Sequence, residues 1–366
     1  METHQLAPLL LDRKDVVLVK PAKPTPSKTL SFSTIDNDPN LEFVTKFPCG
    51  GFTIGMGLSH SVCDGFGASQ LFRALAELAS GKSEPLVKPV WERERLVAKS
   101  TQGPLQSPVD KNSLASSPYL ITNDIMHGCF FVKAETIKRL KMSLMKECGD
   151  HEEMKGSFTT IEVLGAYIWR SRFRAFKLNP DGNTLFCLAM GIRHLLNPPL
   201  PSGYYGNAFV GSNLVMTGKD LNEGPLSRVA KLIKESKKHA SNAHYIWSQI
   251  SMLDKVRELN FKINSSDNGA SMVLTDWRQL GLLEELDFGW KGLANMIPVP
   301  LKMFGFVYLC IFLPPCNLDP STRGGVRVLV SLPRAVMPKF KEEMHALSQL
   351  GDDDDIVPML EPAILI

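Results

Sequence analysis

The apolar positions along the chain switch between a period of two and a period near 3.6, and each switch marks an element. Residues 51–58 (Gly-Phe-Thr-Ile-Gly-Met-Gly-Leu) form a short, mostly apolar run whose glycines permit close backbone approach, which predicts a strand. From Gly67 onward, Ala68, Leu71, Phe72, Leu75 and Leu78 recur at helical spacing and Gly81 follows as a stop, which predicts a helix. An earlier strand is expected at 16–19, followed by an extended Pro/Ser/Asp/Asn-rich loop to Pro39. Between residues 83 and 118 the pattern turns irregular, with Gly103-Pro104, Ser107-Pro108 and Ser117-Pro118; this is the composition of a long crossover, and a domain boundary falls there.

The second half alternates element types. Strands are expected at 129–132, 185–192, 271–274, 306–312 and 326–332. A helix is marked by Ile137, Leu140 and Leu144, and others by 160–176 (carrying Trp169), 225–259 (one long or two consecutive, studded with lysines) and 338–347. The acidic run 352–355 reads as a solvated surface segment. Strands and helices interleave without strict βα alternation, so the fold class is α/β with a mixed sheet flanked by helices.

At the junction of the first strand and the first helix lies His60-Ser61-Val62-Cys63-Asp64-Gly65. A histidine there suits proton transfer, because its ordinary pKa lies near neutrality and one turnover can both take up and return the proton. Asp64 has two possible jobs: orienting the imidazole, as the third member of a triad does, or facing away and holding the loop through an arginine. The second fits better, because three residues separate the two side chains and Asp64 is well placed as a helix N-cap. Taken alone, the hexapeptide fits a satisfied histidine beside a capping aspartate, with no chemistry, equally well.

Composition narrows the classes. The 366 residues are enough for two domains or one large one, and a net charge of +3 is too small to argue for nucleic acid or an anionic membrane. Seven cysteines show an odd count and no C-x-x-C pair, so reduced thiols in a cytosolic protein are expected, with neither a disulfide framework nor a zinc site. Cys63 reads as a small buried residue of a tight turn rather than a nucleophile. The apolar run at 6–11 is too short and too poorly flanked for a secretory signal, and 304–315 is too short for a membrane span, so it reads as a buried strand. His239 and His244 are five apart and off a single helix face, which argues against a metal pair.

A second motif, Asp287-Phe288-Gly289-Trp290-Lys291, would alone be a glycine turn between aromatics. Together, and in this order, the two motifs resemble the BAHD family of plant acyl-CoA-dependent acyltransferases, whose signatures are H-x-x-x-D-G and D-F-G-W-G. The stretches 157–170, Arg193 with 197–207, Thr275-Asp276-Trp277, Gly324-Gly325-Val326 and Met337-Pro338-Lys339-Phe340 are similar to further family landmarks, so the resemblance runs from about Val16 to Phe340. It implies a two-domain chloramphenicol-acetyltransferase-like fold. Residues 1–90 would be an N-terminal domain carrying the histidine motif, 91–117 the crossover, and 118–366 a C-terminal domain carrying the second motif. The wording of 203–210 and 295–300 is closest to members that acylate spermidine or taxane-type alcohols.

The resemblance implies His60 as general base for an amine or alcohol acceptor that attacks an acyl-CoA thioester, the acyl group being hydroxycinnamoyl or another aromatic or short acyl. Acyl-CoA is then a co-substrate and no bound cofactor or metal is required. Asp64, Gly65, Arg193, Asp287 and Gly289 are expected to support the motifs, with Arg193 the partner of Asp64, and the Trp290 indole N–H is a candidate oxyanion donor, a role worth about 3–4 kcal/mol at other acyl-transfer sites. A cytosolic monomer is expected. The chain departs from the family at Lys291, which replaces a glycine, and upstream, where Phe43 runs almost straight into Val44. There about 80 residues are missing, on the order of half of an ordinary-sized first domain. The N-terminal domain is therefore expected to be incomplete, and an inactive splice form or paralogue is the alternative function. Other readings fit less well: Ser59 breaks the H-H-x-x-x-D-G of condensation domains, and 57–61 lacks the last glycine of G-x-S-x-G.

Overall fold

A computed structural model describes residues 16–17, 43–46, 52–56, 58–98, 110, 113–119, 124–149, 157–258, 269–281, 293–298, 309–317 and 319–350. Three short strands come first: β1 (Val16–Val17), β2 (Phe43–Lys46) and β3 (Phe52–Gly55), paired antiparallel in that order with Val16 opposite Thr45 and Phe43 opposite Gly55. Strand β2 was not predicted; it lies on the segment read as a bare junction. Helix α1 (Gly65–Ala79) follows, and Gly81, at a φ of 92°, supplies the left-handed backbone that ends it.

Among the described residues the remaining strands build a six-stranded sheet, and helices accompany them. In chain order they are β4 (Ile125–Val132), α2 (Ala134–Cys148), α3 (Thr160–Ala175), β5 (Asn183–Gly191), β6 (Phe209–Thr217), α4 (Gly218–Glu223), α5 (Leu226–Ala240), α6 (Ala243–Glu258), β7 (Ser271–Asp276), β8 (Leu309–Leu313), β9 (Val326–Pro333) and α7 (Met337–Ser348). The strand order is β4-β9-β8-β7-β5-β6, with β5–β7 and β7–β8 parallel and the other pairs antiparallel. The mixed sheet expected from the interleaved pattern is therefore present. Strands β8 and β9 are buried almost without a break, as central strands covered on both faces must be.

One face of this sheet is covered by α3, with α2, α5 and α7 packed against that helix. Helix α3 buries Val163, Leu164, Ala166, Ile168 and Trp169 around most of its circumference, so packing rather than an exposed polar face holds it. Its start is fixed by a capping box in which the Thr159 N–H donates to Glu162 Oε2 at 2.7 Å. The lysine-rich stretch forms two helices, not one: Ser241 ends α5 and the Asn242 side chain accepts the His244 N–H at 2.8 Å at the start of α6. The unpredicted strand β6 buries Ser212 among its inward positions, where the hydroxyl pairs with Ser236 Oγ at 3.0 Å.

The opposite face of the sheet is linked to α1 through Met296. Ile311, Leu313 and Leu329 pack with Trp277 and Met296, and Met296 also joins Phe72, Ala76, Leu280 and Leu293 around the helix. The described part of the expected crossover is not a loose spacer. Val90 forms a parallel bridge with Tyr204, its N–H donating to the Gly203 carbonyl at 2.8 Å, and a 3-10 turn over Arg93–Leu96 docks beside it.

Candidate active site

The turn before α1 is set by Asp64. Its Oδ1 accepts the Gly67 N–H at 2.9 Å, capping the helix, and its Oδ2 accepts the Ala208 N–H at 3.0 Å. Arg193 completes the carboxylate's shell, Nη1 donating to Oδ2 at 2.9 Å and Nη2 to Oδ1 at 2.8 Å, the two-pronged geometry that only a guanidinium provides. The same Nη2 donates to the Gly206 carbonyl at 2.7 Å, and the guanidinium lies 4.4 Å from the Phe66 ring centroid. Both charged side chains are about nine-tenths buried, so the pair is compensated mainly by one another and by backbone amides and carbonyls.

This arrangement requires a bare backbone at Gly67: a Cβ there would collide with the Tyr205 carbonyl oxygen. The close approach of α1 to 204–208 is thus written into one glycine of the helix's first turn.

His60 lies on the other side of the turn. It is exposed, its carbonyl accepts the Asn207 Nδ2–H at 2.6 Å, and its ring meets Phe209 edge-on with centroids 6.0 Å apart. The Asp64 carboxylate is fully engaged with Arg193, Gly67 and Ala208, so it holds the turn and the imidazole does not use it. Gly65 sits where a Cβ would come within 3.0 Å of Leu280 Cδ1, and Ser69 Oγ donates to the Leu280 carbonyl at 2.5 Å. The segment after β7 therefore packs directly on the start of α1. Asp287, Gly289 and Trp290 lie outside the described residues.

Cys63 is buried in the turn. Burial and the neighbouring Asp64 charge both push its thiol pKa up, against a smaller opposing pull from Arg93 and Arg193, which disfavours the thiolate a nucleophile needs. Sequence reasoning missed Asn207, Phe209 and Arg93. Arg93 donates from Nη2 to the Val62 carbonyl at 2.7 Å inside the histidine turn, from a stretch that reads by composition only as linker. Asn207 and Phe209 fell in or beside a quoted landmark, but nothing in their spacing ties them to residue 60. Among the described residues no group of three His, Cys, Asp or Glu side chains is placed to hold a metal ion, and no helix is long and apolar enough to cross a membrane.

A mixed sheet covered by helices, with a histidine turn at the start of α1, defines an α/β protein, and comparison with known proteins fixes the family. A profile described as "Transferase family" matches residues 41–347, and the chain belongs to that family, the BAHD transferases. It is 45% identical over 310 residues to a spermidine coumaroyl-CoA acyltransferase of Arabidopsis thaliana, covering 84% of this chain and 66% of that protein. It is 42% identical over 306 residues to a spermidine sinapoyl-CoA acyltransferase of the same plant (83% and 66%), and 36% identical over 312 residues to 3'-N-debenzoyl-2'-deoxytaxol N-benzoyltransferase of Taxus canadensis (83% and 65%). The chain thus spans about two thirds of the length of the curated relatives it matches. Vinorine synthase shares the fold at a TM-score of 0.59 and 19% identity, over 83% of this chain and 64% of that one. F. graminearum TRI101, solved with coenzyme A and deoxynivalenol, does so at 0.59 and 19%, over 87% and 71%.

Proposed function

We propose that this protein transfers an acyl group from an acyl-CoA to a small amine or alcohol, with a hydroxycinnamoyl thioester and spermidine as the first pair to test. The observation that carries the reading is the division of labour in the turn: His60 with its imidazole exposed and its backbone carbonyl held by Asn207, beside an aspartate fully taken up by Arg193, Gly67 and Ala208. Identity of 45% and 42% to two spermidine acyltransferases supports the choice of substrates. Acyl-CoA would lie between the part up to residue 90 and the part from 118 on, where α1 packs against Leu280 and Met296.

In the reaction His60 takes a proton from the acceptor as its nitrogen or oxygen attacks the thioester carbonyl carbon. The tetrahedral oxyanion collapses, the C–S bond breaks, and the imidazolium returns the proton to the leaving thiolate, giving the amide or ester and free CoA. The Trp290 indole N–H is proposed to donate to the oxyanion. Asp287 and Gly289 are proposed to support that segment.

The test is incubation of the purified protein with p-coumaroyl-CoA or sinapoyl-CoA and spermidine, reading free thiol and product mass. Release of CoA with appearance of the mono- or polyacylated polyamine is expected. Absence of product with spermidine and with a panel of alcohols, from protein that binds CoA, would overturn acyl transfer. It would favour the second reading, a folded relative without turnover, which the partial span of 66% motivates.

A further inference from the structure

Arg93 stands apart from every residue that the two motifs supply, yet it reaches the catalytic turn. Its guanidinium carbon lies 4.5 Å from the Trp91 ring centroid, 4.7 Å from Tyr205 and 5.5 Å from Tyr204, so three aromatic faces enclose it. From this box Nη2 donates to the Val62 carbonyl at 2.7 Å, two residues after His60. Its Nε is buried without a hydrogen-bond partner, and the side chain is held by its stack, by the bond to Val62 and by a hydrogen bond to the Tyr204 hydroxyl.

The surroundings are shaped around this one group. A Cβ at Gly206 would collide with Arg93 Nη1, so the backbone of 204–207 comes as close to the guanidinium as a chain can. Trp91 and Tyr205 pack at 6.0 Å between centroids, and the Val90–Tyr204 bridge fixes the crossover segment just before the box. The histidine turn is thereby gripped from two sides. Asn207 holds the carbonyl of His60, and Arg93 holds the carbonyl of Val62. Asp64 with Arg193 fixes the helix end of the turn, and the Val62 N–H closes it internally on the Ser59 carbonyl at 2.9 Å, so Arg93 and the turn's own bond meet at the same residue.

We infer that Arg93 is a positioning residue for the general base, a cation stacked in an aromatic box that makes the crossover segment part of the active site. The inference rests on His60 acting as the base, and the experiment separates the two. Arg93→Met keeps the volume of the stem and deletes the bond to Val62; Arg93→Lys keeps the charge and one donor but loses the planar stack. The expected result in steady-state kinetics with p-coumaroyl-CoA and spermidine is a fall in kcat of about 10- to 100-fold for Arg93→Met, with KM for the thioester nearly unchanged, and a smaller fall for Arg93→Lys. Free guanidinium at millimolar concentration should partly restore Arg93→Met and leave wild type unaffected.

A second readout does not need turnover. The imidazole signals of His60 in 15N-histidine-labelled protein, assigned by their loss in His60→Gln, should shift or broaden in Arg93→Met while those of distant His345 stay in place. Unchanged His60 signals, or a kcat equal to wild type in a protein where His60→Gln abolishes activity, would overturn the inference. If His60→Gln leaves activity intact while the His60 signals still respond to Arg93→Met, the general-base reading fails and the positioning contact stands.

Discussion

Removing both halves of the Asp64–Arg193 pair should cost clearly less than the two single removals added together. Asp64 accepts four hydrogen bonds at 2.8–3.0 Å, from Gly67, Ala208 and both terminal nitrogens of Arg193, with its side chain 9% exposed and that of Arg193 10% exposed. Asp64→Ala deletes the helix cap, worth about 1 kcal/mol. It also strands a guanidinium in a site with almost no water, and breaking one side of such a pair costs about 3–5 kcal/mol in all. Arg193→Met leaves a carboxylate with only two amide donors and should cost a similar amount. The double variant removes both charges, so its cost should fall short of the sum by about 2–3 kcal/mol. Against a typical total stability of about 5–15 kcal/mol, each single change is large enough to read in a denaturant titration followed by tryptophan fluorescence and circular dichroism. A coupling energy under about 0.5 kcal/mol would refute the claim that the carboxylate serves the guanidinium, and would reopen a role for Asp64 at the imidazole.

Two further outcomes follow from neighbouring contacts. Gly67→Ala places a methyl against the Tyr205 carbonyl oxygen and should destabilise by about 1–3 kcal/mol with a matching fall in melting temperature; an unchanged melting curve would show that α1 does not approach 204–208 so closely. Glu162 should make α3 acid-sensitive. Burial alone pushes its pKa up, but the Lys237 ammonium at 2.8 Å and the Thr159 N–H outweigh that and hold it below the ordinary glutamate value. A lowered folded-state pKa adds stability that is present above the unfolded value of 4.5 and is lost as pH falls through the folded value. Glu162→Gln should therefore flatten the pH dependence of the melting temperature below about pH 5, and a profile parallel to wild type would contradict this.

The sequence carried the elements whose signal is local. The stripe of Ile137, Leu140 and Leu144 gave α2, and Asp64 before an apolar period with Gly81 after it gave α1 with both ends. Strand β6 escaped because Ser212 and Asn213 interrupt its apolar run; its ladder with β5 holds it, and Ser236 on α5 satisfies the buried hydroxyl, a fact of tertiary packing. The two-helix division of 225–259 was legible only as an alternative, since the cap at Asn242 is a single side chain within a continuous polar pattern. At the site, the pairing of Asp64 with Arg193 spans 129 residues, and it came from family resemblance rather than from spacing. Arg93 was hidden for a different reason: its aromatic box draws Trp91 from the crossover and Tyr204 and Tyr205 from a loop more than 100 positions later, and a proline-rich composition gives no sign of a stack.

The most direct test of the account is CoA release by His60→Gln and by wild type under the same p-coumaroyl-CoA and spermidine concentrations. His60 is exposed and only its carbonyl is bonded to Asn207, so the substitution should leave the melting temperature unchanged. The account predicts a fall in kcat/KM of about 10²- to 10⁴-fold, the usual contribution of a general base. Release by the variant at the wild-type rate would contradict it.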